Sequence, residues 1–264
     1  DMWATEGLVR RYRRKALLEP GFDCPQYCGY CTRMDSVGTD TPQITKVKFK
    51  KPLTERLREA AEELRIKAPQ VRDLTFSGGD PVYFPIELLE KAIDQVLEEM
   101  PQIRDIRFGT KAPNNSPYEV LQSNVLKGWR RIIEKARERN VNIHLHIHVI
   151  HRNEVTPVMR TLVHEFREMG VREVRNQGVL LRGINTTAED LVALCDVLIY
   201  GADIMPYYFY NCDQIPNSEH FRLALSEAQE IFRDLRDSGL FSGFHVPLII
   251  CDVPFAGKRN VHES

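Results

Sequence analysis

Three cysteines stand close together near the start of the chain, in the run Cys24–Cys31, which reads CPQYCGYC. Thiolates are soft ligands, and three of them on one tight loop can hold three corners of a cubic iron–sulfur cluster. The fourth iron then keeps an open position at which a small molecule can coordinate. We therefore predict that Cys24, Cys28 and Cys31 bind such a cluster, and that it serves chemistry rather than simple electron storage.

Other uses of this cysteine pattern fit the sequence less well. A zinc site needs a fourth Cys or His at matching spacing, and a disulfide framework needs an even, denser set of cysteines. The spacing, with the aromatic Tyr30 just before the third cysteine, resembles the radical S-adenosylmethionine superfamily. This resemblance implies a [4Fe-4S] cluster whose open iron binds S-adenosylmethionine. Reductive cleavage then gives methionine and a 5′-deoxyadenosyl radical.

Length and composition set the broad class. With 264 residues, 42% of them hydrophobic, the chain can bury a full core in one domain. The net charge of −1 gives no electrostatic attraction for nucleic acid or a membrane surface. No apolar run approaches the ~20 residues that span a bilayer, and no signal peptide opens the chain. Six cysteines, three of them in the cluster loop, fit a reducing compartment, so we expect a cytoplasmic protein.

Strand and helix patterns alternate along almost the whole sequence, which favours a parallel sheet with right-handed crossovers. We predict an α/β fold, a partial (β/α)6-type barrel of parallel strands with a seventh closing strand. The expected organisation is a single domain over 1–264, with an N-terminal extension over 1–14, the barrel over 15–251 and a C-terminal cofactor loop over 252–264. Polar clusters should then gather at the carboxyl ends of the strands.

Several local signals give more detailed expectations. Ser116 with Glu119, and Thr186 with Glu189, are spaced as capping boxes that begin helices. The pattern also predicts a strand over 202–205 and a helix over 219–235.

Glycines follow the strand predicted before Ser77, in the segment Ser77–Asp80. Two glycines let the backbone approach a ligand closely, and a carboxylate follows them. A plain turn between strand and helix is the alternative. Beside a cluster loop, the segment resembles the superfamily motif that grips the amino group of S-adenosylmethionine. The segment Val179–Asn185 resembles the part of the fifth strand that flanks the adenosyl group.

Three histidines, His144, His146 and His148, alternate with apolar residues and share one face of a predicted strand. They could bind a metal, as in barrel hydrolases. They could instead form a hydrogen-bonded polar lumen around a ligand, and we favour this because no obvious carboxylate partner accompanies them.

Lys258 follows the last predicted strand. An isolated lysine is usually solvated. On the rim of a barrel it can instead form a Schiff base with pyridoxal phosphate.

Taken together, these motifs resemble the lysine 2,3-aminomutase family. The resemblance spans Arg11 to Lys258 and rests on residues 11–12, 24–33, 77–81, 107–111, 148–156, 176–185, 206–213 and 252–258. It implies pyridoxal 5'-phosphate held as an aldimine by Lys258, which is then the catalytic residue.

The resemblance also implies roles for the other site residues. Arg33 would pair with the substrate carboxylate, and Asp213 and Asp252 would hold the side-chain ammonium of a lysine substrate. The residues implied to bind cofactors are Ser77, Gly78, Gly79, Asp80, His148, Gln177, Arg11, Lys15, Lys111 and Lys258, and those implied to bind metal are Cys24, Cys28 and Cys31.

The implied activity is that of an isomerase which moves the α-amino group of L-lysine to the β-carbon. Its partners would be a small-molecule amino acid and a reducing electron donor such as flavodoxin or ferredoxin, without nucleic acid or membrane, and a homo-oligomer is left open. Within the family, arginine, another amino acid or a protein-bound lysine are alternative substrates, because an acidic pair can also hold a guanidinium. From other classes, the alternatives are a non-catalytic iron–sulfur carrier and a metal-dependent barrel hydrolase that uses the three histidines.

Overall fold

A curled, nearly all-parallel sheet organises the chain. The computed structural model describes residues 3–242, 246–253 and 257–261. The sheet contains nine strands in sequence order: β1 Leu8–Val9, β2 Lys15–Gly21, β3 Asp73–Gly78, β4 Asp105–Thr110, β5 Asn142–Ile147, β6 Glu173–Leu180, β7 Met205–Asn211, β8 Leu248–Val253 and β9 Gly257–Asn260. Strands β2 to β8 run parallel, and β1 and β9 pair antiparallel at the two edges. The predicted partial barrel of parallel strands is confirmed.

Helices connect successive parallel strands. They are α1 Leu53–Lys67, α2 Ile86–Glu99, α3 Ala112–Asn115, α4 Pro117–Val120, α5 Ser123–Glu138, α6 Pro157–Met169, α7 Ala188–Asp196 and α8 Leu225–Asp237. The long segment between β2 and α1 carries the cluster loop and is irregular. Among the described residues, no helix is both long and apolar enough to cross a membrane.

The apolar core lies between the sheet and its helices. Alternate residues of the strands face the helices, so the rings of Phe76 and Phe108 pack 5.1 Å apart. Trp129 on α5 contacts Phe108 edge to face at 4.9 Å and Phe166 on α6 at 5.4 Å, and all four rings are fully buried. Because this layer takes the apolar side of each strand, the opposite side is left for polar groups in the lumen.

Two helix starts differ from the expected capping boxes. Ser116 precedes the short helix α4 and makes no side-chain cap, and α5 begins only at Ser123. Thr187, rather than Thr186, caps α7 by accepting a hydrogen bond of 3.1 Å from the Asp190 amide. Both expectations were therefore wrong, the second by one residue.

The predicted positions of two other elements were also wrong. Helix α7 continues into a wider π-helical turn over Val197–Gly201, and Asp203 has a left-handed φ of 52°, so the strand begins at Met205 instead of covering 202–205. Over 219–235, the structure has a 3-10 turn at Glu219–Phe221 and a helix that begins at Leu225.

The ends of the sheet differ from the expected extension and cofactor loop. Leu8–Val9 pairs with β2. Strand β8 continues to Val253, and Gly257–Asn260 returns beside it, with Lys258 opposite Asp252. Lys258 thus lies on a paired strand rather than on a rim loop, while the expected division into segments stays a prediction.

Candidate active site

The cluster loop brings its three cysteines together as free thiols that are neither fully buried nor fully exposed. Burial raises the pKa of Cys24 to about 11, and charge on Asp80 and on the other two cysteines adds to this effect. Burial also raises the pKa of Cys28 and Cys31. Three thiolates here therefore need a strongly positive group between them, which iron supplies. The donor set fits a cluster.

Backbone contacts fix the root of this loop against the glycine motif. The Gly79 amide donates to the Gly21 carbonyl at 3.0 Å, and the Asp80 amide donates to the Asp23 carbonyl at 2.9 Å. A Cβ on Gly79 would lie 2.1 Å from that same Asp23 oxygen. Backbone thus approaches backbone closely between the glycine motif and the cluster loop, while the expected approach of this motif to a ligand stays a prediction.

Asp80 joins the ends of β3 and β4. Its carboxylate is buried and accepts four hydrogen bonds, from the Thr110 hydroxyl at 2.6 Å and from the amides of Lys111, Ala112 and Val82 at 2.8–3.0 Å. Burial raises the pKa of Asp80, and these donors oppose the rise. The carboxylate that sequence reasoning assigned to a cofactor is occupied in holding the rim together.

His148 links the cluster loop to strand β6. Its Nδ1 lies 2.7 Å from the carbonyl oxygen of Gln177, and its Nε2 lies 3.0 Å from the Tyr30 hydroxyl. Burial and the nearby Lys111 lower the pKa of His148 to about 4, so the ring is neutral at pH 7. A neutral ring that faces a carbonyl must donate from Nδ1, so Nε2 accepts the Tyr30 hydrogen.

Lys111 lies on the cluster side of the barrel. Its Nζ donates to Glu154 at 2.6 Å and to the His148 carbonyl at 3.1 Å. Its charge lowers the pKa of Cys28, against the larger effect of burial. The structure thus places Lys111 beside the cluster loop, whereas sequence reasoning grouped it with Lys15 and Arg11 around pyridoxal phosphate.

A polar cavity of about 200 Å³ occupies the amino-terminal end of the lumen. Its lining combines three cations, three carboxylates, two histidines and a tyrosine: Lys15, Arg107, Arg175, Asp73, Asp105, Glu173, His144, His146 and Tyr207. His144 lies between Asp105, at 2.9 Å, and Glu173, at 3.3 Å. Sequence reasoning missed these partners because they begin strands far apart in the chain.

His146 is buried in this cavity with its ring edge-on to Tyr207. Burial, with the nearby Arg107 and Arg175, lowers the pKa of His146 to about 2. The buried Nε of Arg175 makes no hydrogen bond within the described residues. Among those residues, no three His, Cys, Asp or Glu side chains are grouped so that they could hold a single metal ion. His144 and His146 line this polar cavity, whereas His148 contacts Tyr30 and the Gln177 carbonyl beside the cluster loop.

Lys258 points into the same lumen. Its Nζ contacts the hydroxyl of Tyr210 and lies 5.1 Å from the centre of the Tyr208 ring. Burial lowers the pKa of Lys258 to about 8, and the charge on Arg107 adds to the fall. At pH 7 roughly one such amine in ten is neutral, against fewer than about one in a thousand for an ordinary lysine. The amine is therefore prepared to act as a nucleophile.

Asp213 follows the end of β7, whereas Asp252 was wrongly expected after a strand end and lies within β8 opposite Lys258; the charges of Asp252 and Lys258 both act on Asp213. Burial raises the pKa of Asp213, and the charge on Asp252 raises it further. Asp252 also forms an ion pair of 2.7 Å with Arg11, whose second nitrogen donates to the Val253 carbonyl. The acidic pair therefore already faces one guanidinium.

Arg33, expected near a substrate carboxylate, forms an ion pair of 3.0 Å with Glu19. Glu19 is 1% exposed, and its other oxygen accepts a hydrogen bond of 2.7 Å from Trp3. Glu19 follows the apolar run Ala16–Leu18 within β2, and a carboxylate at that buried position was the available signal for it.

The tyrosines of β7 were also missed, because the strand was expected to end at 205. The register of β6 and β7 shifts between Asn176 and Gln177, so that Tyr207 is skipped in the pairing. Such a bulge turns neighbouring side chains toward one face. Tyr207 and Tyr208 consequently stack with their ring centres 3.7 Å apart, and their hydroxyls are 2.7 Å apart.

The sequence profile described as the Radical SAM superfamily matches residues 18–195. The chain belongs to this superfamily. That membership fits the three-cysteine loop and the glycine motif packed against it.

The resemblance to lysine 2,3-aminomutases is confirmed by curated relatives. A protein from Fusobacterium nucleatum named L-lysine 2,3-aminomutase is 34% identical over 254 residues, covering 96% of this chain and 54% of its own length. Proteins of the same name from Clostridium subterminale and Escherichia coli are 32% and 29% identical, covering 96% and 94% of this chain and 55% and 66% of their own. The chain spans about half the length of the first two relatives.

Solved structures support the fold. Streptococcus suis SuiB bound to S-adenosylmethionine superposes with a TM-score of 0.55 at 14% identity, covering 96% of this chain and 62% of its own. A radical SAM methyltransferase from Sphaerobacter thermophilus gives a TM-score of 0.58 at 16% identity, covering 94% of this chain and 69% of its own.

Proposed function

We propose that this chain forms the catalytic core of a radical S-adenosylmethionine 2,3-aminomutase, an isomerase that acts on L-lysine. The observation that carries the proposal is the buried Lys258 amine beside the acidic pair of Asp213 and Asp252, in the barrel whose rim carries the three cysteines. An iron–sulfur carrier needs neither the amine nor the pair. The names of the curated relatives support the same activity.

The residues present fit the three cofactors. Cys24, Cys28 and Cys31 would hold the [4Fe-4S] cluster, and the Ser77–Gly79 backbone would bind S-adenosylmethionine. Lys258 would hold pyridoxal phosphate. The Nε of Arg175, which makes no hydrogen bond among the described residues, would donate to its phosphate, while another nitrogen of the same guanidinium pairs with Glu173 at 2.6 Å. When bound, these groups supply a carbon-centred radical and a ring that delocalises the unpaired electron.

The side chains divide the remaining work. Arg33, aligned by Glu19, would bind the substrate carboxylate through its planar fork. Asp213 and Asp252 would bind the side-chain cation, because two close carboxylates are stabilised by a positive charge between them. A reducing electron donor such as flavodoxin or ferredoxin, and a cytoplasmic location, complete the proposal.

Arginine is a second candidate substrate. Asp252 already accepts the Arg11 guanidinium at 2.7 Å, so a carboxylate of this site binds that group in the folded protein.

The test offers lysine, arginine and glutamate separately to anaerobically reconstituted protein, with a reductant and S-adenosylmethionine. We expect β-lysine, detected by mass spectrometry, and absorption bands from both the cluster and a pyridoxal Schiff base. Conversion of arginine alone would select the second candidate. Conversion of glutamate alone would overturn the role of the acidic pair, and a cluster band without a pyridoxal band would favour a different radical reaction.

A further inference from the structure

Two tyrosines of strand β7 surround the amine of Lys258. Tyr208 and Tyr210 are two positions apart and both face the lumen, with their ring centres 6.0 Å apart. The Lys258 Nζ contacts the Tyr210 hydroxyl, and its distance to the centre of that ring is 4.8 Å. An amine that touches the hydroxyl lies beyond the ring edge, so its interaction with Tyr210 is a hydrogen bond. Its interaction with Tyr208 is with the ring, at 5.1 Å.

Among the charged groups around Lys258, the Tyr210 hydroxyl is a neutral hydrogen-bonding partner of the amine. The groups that face or influence the amine are Lys15 on β2, Arg107 on β4, His146 on β5, Tyr208 and Tyr210 on β7, Asp252 on β8, and Arg11 and Asp213. The cations repel a protonated amine, and Asp252 is paired with Arg11. Burial raises the pKa of Tyr210, so its hydroxyl keeps its proton. A neutral phenol accepts a hydrogen bond from the charged amine and donates one to the neutral amine.

We propose that Tyr210 is the positioning residue for Lys258, holding its amine in one place in the lumen for reaction with a carbonyl compound. This inference rests on the proposed function, in which that compound is pyridoxal phosphate. In the step, the lone pair of Lys258 attacks the carbonyl carbon and a carbon–nitrogen bond forms. Two amine hydrogens leave with the carbonyl oxygen as water, and no electron is gained or lost.

Tyr210→Phe removes the hydroxyl and keeps the ring. Tyr208→Phe is the matched control, because its hydroxyl bonds to Tyr207 instead of Lys258. Each variant, free of added cofactor, is treated across a pH series with formaldehyde and cyanoborohydride, and labelling of Lys258 is read by peptide mass spectrometry. A second series uses pyridoxal phosphate with borohydride.

We expect Tyr210→Phe to lower the pH midpoint of methylation by about one unit, because the hydrogen bond to the charged amine is lost. Above the midpoint, trapping of pyridoxal phosphate should slow about tenfold while methylation by the small aldehyde stays fast, since only the larger partner needs an oriented amine. Tyr208→Phe should move the midpoint by less than about 0.3 unit.

Equal midpoints in wild type and Tyr210→Phe would overturn the proposal, as would equal shifts in both variants. If Tyr210→Phe fails to fold, Tyr210→Leu takes its place with the same expected fall of about one unit, and an unchanged midpoint overturns the proposal. If pyridoxal phosphate labels a different lysine in the wild type, the proposed function fails. The methylation series then still tests the Tyr210–Lys258 bond.

Discussion

The cluster rim and the lysine lumen of this barrel are built in opposite ways. At the rim, backbone groups do most of the holding, with Gly79 and Asp80 bonded to the root of the cluster loop and four donors on the Asp80 carboxylate. In the lumen, charged side chains from separate strands face one another, and burial and nearby cations lower the pKa of Lys258. The rim is therefore held by hydrogen bonds of the backbone, whereas the pKa values of the lumen groups are set by burial and by charges on separate strands.

The comparison predicts that the two regions can be disabled separately. Cys28→Ala leaves two thiolates and should abolish both cluster assembly and cleavage of S-adenosylmethionine, measured as iron content and 5′-deoxyadenosine. Labelling of Lys258 by pyridoxal phosphate and borohydride should persist. Cys195→Ala, which removes a thiol buried in α7, is the control and should retain the cluster. Cleavage at the wild-type rate in Cys28→Ala would refute the radical assignment.

The rim should be more sensitive than the surface to loss of one carboxylate. Asp80→Asn turns an acceptor into a donor that faces backbone N–H groups, and we expect it to lower the free energy of unfolding by about 3 kcal/mol. Asp94→Asn, at a half-exposed ion pair with Lys135, should cost less than about 1 kcal/mol. Anaerobic denaturant titration measures both. Equal losses would mean that the four bonds to Asp80 contribute no more than a surface pair.

Binding of the substrate's side-chain cation should depend on the lumen rather than on the cluster rim. Asp213→Asn removes a charge-assisted bond worth roughly 1.5–3 kcal/mol, so lysine turnover should fall about 10- to 100-fold. Cleavage of S-adenosylmethionine without substrate should change little, because the cluster loop is untouched. A parallel loss of cleavage would show that the two regions are coupled rather than separate.

Replacing Arg11 should have a smaller effect, on the pKa of Lys258. Its charge lowers the pKa of Lys258, and it neutralises Asp252, whose charge raises that pKa. Arg11→Gln should therefore raise the pH at which Lys258 is half-labelled, by less than about one unit because Arg11 is partly solvated. Since the neutral amine reacts, labelling at pH 7 should slow. Arg13→Gln, at an exposed position in the same segment, provides the comparison. A downward shift would contradict the charge balance described here.

The sequence predicts the cluster rim well and the lysine lumen less well. The cluster loop and the glycine motif are each contiguous, so their residue types and spacing predict both their placement and their proximity. The cavity around His146 and Arg175 joins residues that begin different strands, and no spacing connects them. The tyrosines of β7 depend on a bulge and on a π-helical turn before the strand, which hydrophobic periodicity does not reveal.

The contacts between Arg11–Tyr12 and the last hairpin also bear on how the protein folds. Arg11 reaches the Val253 carbonyl across 242 positions of sequence, and the Tyr12 hydroxyl accepts from the Lys258 amide across 246. Each parallel strand pairs with its sequence neighbour, whereas these contacts join residues near the two ends of the sheet, so closing them costs more loop entropy. Burial and cations from separate strands lower the pKa of Lys258, so the lowered value exists only when these strands are assembled. In an unfolded chain the amine has the pKa of an ordinary lysine and is almost wholly protonated at pH 7.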